Sequence, residues 1–232
     1  MTSAVDIWAV VPFKGFDQAK QRLRGTYAPP VRRALARAMF DDVLDALAAV
    51  PELAGIMLVT PDREAATLAA ARGFRVFSET APTGLTSAVM AAAARLAAEG
   101  AAGMLTVPCD VPGAVPHEIS HLLATHRQGR GFTIVPSHDR RGTNAIVVTP
   151  PDAVALAFGP DSFALHLAAA RRAGIIANVV SLPGLSLDID TPGDCLAFLR
   201  GQTGGRTWSC LAEHANAGPD PRQTKKRSLH HG

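Results

Sequence analysis

Alternation constrains this chain most. Short apolar, β-branched runs and longer helical patterns follow one another from residue 5 to residue 199. Val5–Val11 predicts a buried strand. Pro29–Val50 predicts a long helix, with Leu35, Met39, Val43 and Leu47 recurring on one face. Gly55–Val59, Phe74–Phe77 and Met104–Val107 read as strands, separated by helical patterns at Arg63–Ala71 and Leu85–Ala98. His117–His126 reads as a helix, Phe132–Val135 and Asn144–Val148 as strands, and Ser162–Ala173 as a helix. Val179–Leu182 suits a strand or edge segment, Leu187–Ile189 a short strand, and Pro192–Leu199 a helix. Such alternation predicts a three-layer α/β/α sandwich with a mostly parallel sheet, and Pro136–Val148 suits a hairpin or antiparallel strand.

At 232 residues with 47% hydrophobic content, the chain has material for one sizeable core. The net charge of +3 sits in the tail. From Gly201 onward there are five Lys/Arg (Arg206, Arg222, Lys225, Lys226, Arg227) and two acids (Glu213, Asp220), which leaves 18 of each sign and no net charge in residues 1–200. A neutral body excludes a generic nucleic-acid binder. Cys109, Cys195 and Cys210 form neither a metal cluster nor an even disulfide framework, which suits a reducing, cytoplasmic setting. No basic n-region precedes an apolar stretch at the N-terminus, and no run reaches the length of a membrane span. Composition shifts after residue 200 to Gly, Pro and basic residues, so 1–200 is expected to be the domain and 201–232 a basic, mostly disordered tail.

Several stretches carry chemistry. In Leu187-Asp188-Ile189-Asp190-Thr191-Pro192-Gly193-Asp194, residues i and i+2 of a strand point to one face, so Asp188 and Asp190 project together. Thr191 suits an N-cap, Pro192 the first helical position, and Asp194 the positive helix end. Two converging carboxylates at a strand end suit a Mg²⁺–phosphate site, although a capped loop with solvated acids accounts for the same residues. Val107-Pro108-Cys109-Asp110-Val111-Pro112 adds Asp110 at another strand end, held between prolines; an ordinary Asp-containing turn is the plainer reading. Cys109 reads as a packing residue.

Lys14, Lys20 and Arg22 fall within nine residues after the first strand, where ligands of open α/β sheets bind. Their charges suit a polyphosphate, and a solvated surface loop is the alternative. Arg140-Arg141-Gly142-Thr143-Asn144 and Phe158-Gly159-Pro160-Asp161-Ser162 offer backbone access at Gly142 and Gly159, hydroxyls at Thr143 and Ser162, and a helix start that favours an anion; a hairpin turn and a simple N-cap also explain them. Glu79–Ala88, with Gly84 and Thr86, suits a nucleotide base or ribose, and equally an N-cap. No P-loop, GxSxG elbow or HExxH spacing occurs, and His166 reads as a packed or surface residue.

Together Val-Pro-Phe-Lys with Lys-Gln-Arg-Leu, Pro-Cys-Asp-Val-Pro, Gly-Thr-Asn-Ala, Phe-Gly-Pro-Asp-Ser-Phe followed by His166, and Leu-Asp-Ile-Asp-Thr-Pro-Gly-Asp resemble the CofC/FbiD guanylyltransferases of coenzyme F420 biosynthesis, relatives of the MobA-like proteins, over residues 6–200. The resemblance implies a Rossmann-like, GT-A-like nucleotidyltransferase domain that joins GTP to 2-phospho-L-lactate, phosphoenolpyruvate or 3-phospho-D-glycerate and releases pyrophosphate. It implies that Asp110, Asp188 and Asp190 hold Mg²⁺, that Lys14 binds phosphate beside Lys20 and Arg22, and that Thr143, Gly159 and Ser162 hold the acceptor acid. Gly84 and Thr86 fall at the nucleotide, although many relatives carry Gly-Leu-Asn-Ala where this chain has Gly84-Leu85-Thr86-Ser87. A homodimer and a downstream transferase of the same pathway are the partners it implies, with no membrane and no nucleic acid. Competing readings are a cytidylyl- or molybdopterin nucleotidyl transfer, against which the missing Gly-rich first loop counts, a non-catalytic nucleotide-binding protein, and nucleic-acid binding through the tail.

Overall fold

The computed structural model describes residues 6–17, 19–78, 84–127 and 129–215. Strands β1 (Ile7–Pro12), β2 (Leu53–Val59), β3 (Arg75–Phe77), β4 (Gly103–Thr106), β5 (Gly131–Pro136), β6 (Thr143–Thr149) and β7 (Asn178–Val179) form one sheet in the order β3-β2-β1-β4-β6-β5-β7. β1 pairs in parallel with β2 and β4, β2 with β3, and β5 with β7, whereas β6 runs antiparallel to both neighbours. The helices are α1 (Pro29–Ala48), α2 (Arg63–Ala71), α3 (Leu85–Ala98), α4 (Pro116–Thr125), α5 (Ser162–Arg172), α6 (Pro183–Ser186), α7 (Pro192–Gly201) and α8 (Arg206–Ala215).

Because successive strand side chains face opposite sides, the five central strands feed two cores. Ala9, Val11, Leu58, Leu105 and Val147 join one with Leu35, Met39, Phe40 and Leu44 of α1. Val10, Met57, Met104, Ile146 and Ile134 join the other with Val89 and Leu96 of α3 and Phe163 of α5. The result is the expected three-layer α/β/α sandwich, with the reversed strand where Pro136–Val148 suggested one.

Two expectations are corrected. Leu187–Ile189 is not a strand. A turn of helix, α6, precedes it, and the extended segment makes one backbone contact, Ile189 N–H to the Asp110 carbonyl at 2.9 Å. A ladder cannot continue there, because Pro108 and Pro112 interrupt the facing chain and lack donors. Alternation nevertheless persists: Ile189 is buried in the core, and Asp188 and Asp190 remain part-exposed.

The boundary at residue 200 is also displaced, since α7 runs through Gly201 and residues Arg206–Ala215 form α8. That helix docks on α1, with Thr207 and Leu211 buried and Trp208 packed against the core. Asp42 of α1 accepts the Arg206 and Thr207 amides at 3.1 and 2.8 Å, supplying from another helix the cap that α8 lacks locally. The basic cluster Lys225-Lys226-Arg227, like Glu79–Thr83, lies outside the described residues.

Candidate active site

The loop after β1 is anchored at its aromatic residues. Phe13, Phe16 and Phe40 have ring centroids 4.8 to 5.3 Å apart. Phe13 N–H also reaches the Val59 carbonyl at 2.9 Å. Asp62 does two jobs: one oxygen N-caps α2 through Ala65 N–H at 3.1 Å, and the other accepts Phe16 N–H at 3.0 Å. The chain then turns sharply. Lys20 adopts a left-handed conformation, φ 55° and ψ 40°, and opens a 3-10 turn at Gln21–Leu23. Such a backbone is costly for a non-glycine residue and recurs where a side chain must be aimed.

Lys20 is aimed at the acids. Its ammonium lies 3.1 Å from Asp190 Oδ1 and 3.3 Å from Asp110 Oδ2, and its side chain is 6% exposed. Burial opposes its charge, and the carboxylates of Asp110 and Asp190 outweigh that penalty and hold its pKa above the ordinary lysine value. Arg22, largely exposed, donates to Asp190 Oδ2 at 3.2 Å. Asp188 is within reach of the Asp110 charge. Burial raises its pKa, the Asp110 charge adds to the shift, and a hydrogen bond from Asn144 Nδ2 at 3.2 Å offsets part of it. Burial pushes the Cys109 thiol far up, consistent with a packing residue.

Two devices hold the acidic segment from behind. Glu118 of α4 is buried and accepts the Gly184 and Leu185 amides, each at 3.0 Å, which pins the turn leading into Asp188. Gly184 is required by close approach: a Cβ there would lie 2.1 Å from the Gly113 carbonyl oxygen. Beyond Asp190, the Thr191 hydroxyl accepts Asp194 N–H, and Asp194 Oδ2 accepts the Asp190 and Thr191 amides at 3.0 and 2.7 Å, a capping box that starts α7.

Lys14, Lys20, Arg22, Asp110 and Asp190 line one cavity of about 400 Å³ over the carboxyl ends of β1 and β4. Lys14 is exposed at its rim. Among the described residues no group of three His, Cys, Asp or Glu side chains is arranged to hold a metal ion; the Lys20 ammonium lies between Asp110 and Asp190. Asp188 lies close enough to Asp110 for the two charges to interact, and burial already disfavours its charged form. Two carboxylates are the usual protein share of a Mg²⁺ site whose remaining ligands are phosphate oxygens and water, so the donor set fits a cation that arrives with a nucleotide.

The residues expected at the acceptor form a separate cluster at the start of β6. Thr143 Oγ1 lies 3.0 Å from His166 Nδ1 and 3.4 Å from Ser162 Oγ, all three residues being buried. Gly159, at φ 137°, is exposed on the loop before α5. Asn144, next along β6, faces the other way, to Asp188, so this strand links the two clusters. Gly84, at φ 93°, is exposed at the start of α3. The Thr86 hydroxyl accepts Phe158 N–H at 3.0 Å, which ties α3 to the acceptor-side loop. Asp62, Glu118 and Asn144 were not singled out from the sequence. The Asp62-Arg63-Glu64 start of a helix was a visible signal for the first, while the other two act across distances no local pattern reveals.

An open sheet in this order, with basic and acidic side chains gathered over its carboxyl edge, is suited to a phosphorylated ligand. Solved structures share the fold. One from Desulfovibrio desulfuricans G20, given the provisional name nucleotide-diphospho-sugar transferase, superposes with a TM-score of 0.71 at 17% identity, covering 90% of this chain and 95% of its own. The 4-diphosphocytidyl-2C-methyl-D-erythritol synthase of Anaerococcus prevotii DSM 20548 superposes at 0.56 and 13%, covering 85% and 100%.

Sequence narrows the class. The family profile described as guanylyl transferase, CofC-like, matches residues 7–211, and the chain belongs to that family, the guanylyltransferases of coenzyme F420 biosynthesis. The phosphoenolpyruvate guanylyltransferase of Sphaerobacter thermophilus is 38% identical over 186 residues, 80% of this chain and 89% of the relative. That of Conexibacter woesei is 36% identical over 188 residues, 81% and 84%. Among the described residues no helix is long and apolar enough to cross a membrane.

Proposed function

We propose that this guanylyltransferase transfers GMP from GTP to phosphoenolpyruvate, with Mg²⁺ bound and pyrophosphate released. The relatives above support that acceptor. The observation that carries the reaction type is the gathering of Lys14, Lys20 and Arg22 with Asp110 and Asp190 in one cavity over the carboxyl ends of β1 and β4.

The acceptor phosphate oxygen attacks the α-phosphorus of GTP. One P–O bond forms to it, and the bond from that phosphorus to the bridging oxygen breaks, so both electrons leave on pyrophosphate. The acceptor phosphate is largely dianionic near neutrality, so no strong base is needed. The work is to bring two anions together and to receive the charge that builds on the leaving group. Lys14 at the cavity rim and Arg22 above Asp190 supply mobile positive charge for the leaving phosphates, and Lys20 supplies a fixed one. Asp110 and Asp188, with Asp190 beside them, would hold Mg²⁺, which screens the two anions and stabilises the leaving oxygen. Thr143, Ser162 and the Gly159 backbone hold the acceptor acid. Gly84 gives the nucleotide backbone access, and Thr86 supports the adjoining loop.

Pyrophosphate release is measured with GTP, ATP or CTP against phosphoenolpyruvate, 2-phospho-L-lactate or 3-phospho-D-glycerate, with and without Mg²⁺. Release with GTP and phosphoenolpyruvate that EDTA abolishes supports the reading. Preference for another acid replaces the acceptor, and activity that persists in EDTA removes the metal.

A further inference from the structure

His166 sits beneath the acceptor-side residues, fully buried in α5, and the reaction outlined above does not use it. Ala157 N–H donates to its Nε2 at 2.9 Å. A main-chain amide can only donate, so Nε2 presents its lone pair and the neutral ring carries its proton on Nδ1. Nδ1–H therefore donates to Thr143 Oγ1 at 3.0 Å. Burial holds the ring's pKa down at about 4, which keeps it neutral at physiological pH.

The consequence falls on Thr143. Its hydroxyl accepts from His166, so its own proton must point elsewhere. Ser162 Oγ, 3.4 Å away, is placed as a second, weak donor to the same oxygen, which leaves the Thr143 proton available to an acceptor. An anionic oxygen is such an acceptor. His166 also shapes the loop that carries Gly159. It holds the Ala157 amide while Thr86 holds the next one, Phe158, and the Phe158 ring packs on the imidazole at 5.2 Å and 70°. One buried ring thus sets the direction of a hydroxyl on β6 and the path of the loop entering α5.

We propose that His166 is a positioning residue for the acceptor acid. By fixing its tautomer it turns the Thr143 hydroxyl into an obligatory donor toward the acid's anionic end, and it holds the Ala157–Phe158 segment that presents Gly159. This rests on the reading that Thr143, Gly159 and Ser162 bind the acceptor.

The test is a double-mutant cycle in full-length enzyme: wild type, His166→Phe, Thr143→Val and the double variant. KM for phosphoenolpyruvate, Kd for GTP and kcat are read for each, and His166→Asn serves as the conservative variant. His166→Phe keeps ring volume and loses both nitrogens. A hydrogen bond to a charged group corresponds to roughly tenfold or more in affinity. His166→Phe is therefore expected to raise the acid KM about tenfold while the GTP Kd stays within twofold. The double variant is expected to fall well short of the product of the two single losses, because the larger share of the His166 effect passes through Thr143 and only the hold on the Ala157 amide is independent of it, and His166→Asn, which restores a donor near Nδ1, regains part of the loss. Losses that multiply in the double variant, or an equal weakening of GTP binding, overturn the proposal. An unchanged acid KM in Thr143→Val overturns the acceptor-site reading itself and the proposal with it, a result distinct from Thr143 mattering and His166 not. If His166→Phe does not fold, His166→Leu, which also lacks both ring nitrogens, carries the same cycle, and multiplying losses there overturn the proposal equally.

Discussion

Replacing Lys20 by Met tests the centre of the site. The substitution keeps an unbranched apolar stem and removes the charge between Asp110 and Asp190. Breaking one partner of a fully buried ion pair costs about 3–5 kcal/mol, and an exposed pair is worth about 0–1 kcal/mol. Lys20 is nearly buried, but both acids are 35% exposed and can recover hydration, so the expected cost lies between these limits, about 1–2 kcal/mol. For a domain of this size that is a melting temperature lower by roughly 3–6 °C. Activity should fall much further, by about two to three orders of magnitude in kcat, as when a preorganised donor to developing charge is removed. A second signature follows from the acids. Without their resident ammonium they should bind a divalent cation more readily, so millimolar Mg²⁺ should raise the melting temperature of the variant more than that of wild type. Differential scanning fluorimetry across a Mg²⁺ series and a pyrophosphate-release assay give both readings. A variant that melts like wild type and retains turnover within threefold would refute the reasoning.

Asp188→Ala should nearly abolish turnover while far-ultraviolet circular dichroism stays unchanged; wild-type turnover at saturating Mg²⁺ removes the metal role. Asp62→Ala frees the Phe16 amide and uncaps α2, so about 1–2 kcal/mol of stability should be lost together with a raised KM for GTP, measured by urea melts and initial rates. Glu118→Gln replaces a two-oxygen acceptor of the Gly184 and Leu185 amides by one oxygen and an opposing donor, and should cost about 1–3 kcal/mol in the same melts. His126 and His166 both titrate near pH 4 in the folded chain, below the ordinary 6.5, because burial disfavours their charged forms. A depressed histidine contributes stability that is complete above 6.5 and lost as pH falls toward 4, on the order of 3 kcal/mol for the fully buried His166. Urea melts between pH 7 and 4 should show that decline, and a flat profile contradicts it.

Local patterns carried far in this chain and failed where distance matters. The eight residues from Leu187 revealed a cap at Thr191, and the capping box is there. The same residues suggested a strand because their in–out alternation looks the same whether or not a ladder forms, and the prolines that deny the ladder lie some eighty residues earlier. Composition hid α8, whose apolar residues Trp208 and Leu211 sit among Gly and polar residues and whose cap, Asp42, belongs to another helix. His166 looked like a packing residue because one of its partners is a backbone amide and the other is 23 positions away. Lys20 stood out as one cation among three, but its pairing with Asp110 and Asp190 spans separations of 90 and 170 residues.

The reversed strand explains why these distant pieces meet. In a wholly parallel sheet only strand ends reach the carboxyl edge. β6 runs the other way, with Ile146 opposite Thr106 at the end of β4, so its beginning lies at that edge. Thr143 and Asn144 therefore arrive at the edge where the loop carrying Asp110 leaves β4, and Asn144 reaches Asp188 there. Their opposed side chains divide the work, Thr143 turning to His166 and Ser162 and Asn144 to Asp188. A substitution in β6 that shifts its register by one residue would exchange those directions. It would bring the Thr143 hydroxyl to Asp188 and the Asn144 amide to the acceptor side, so the two halves of the site should fail together even though neither lysine nor acid has been touched.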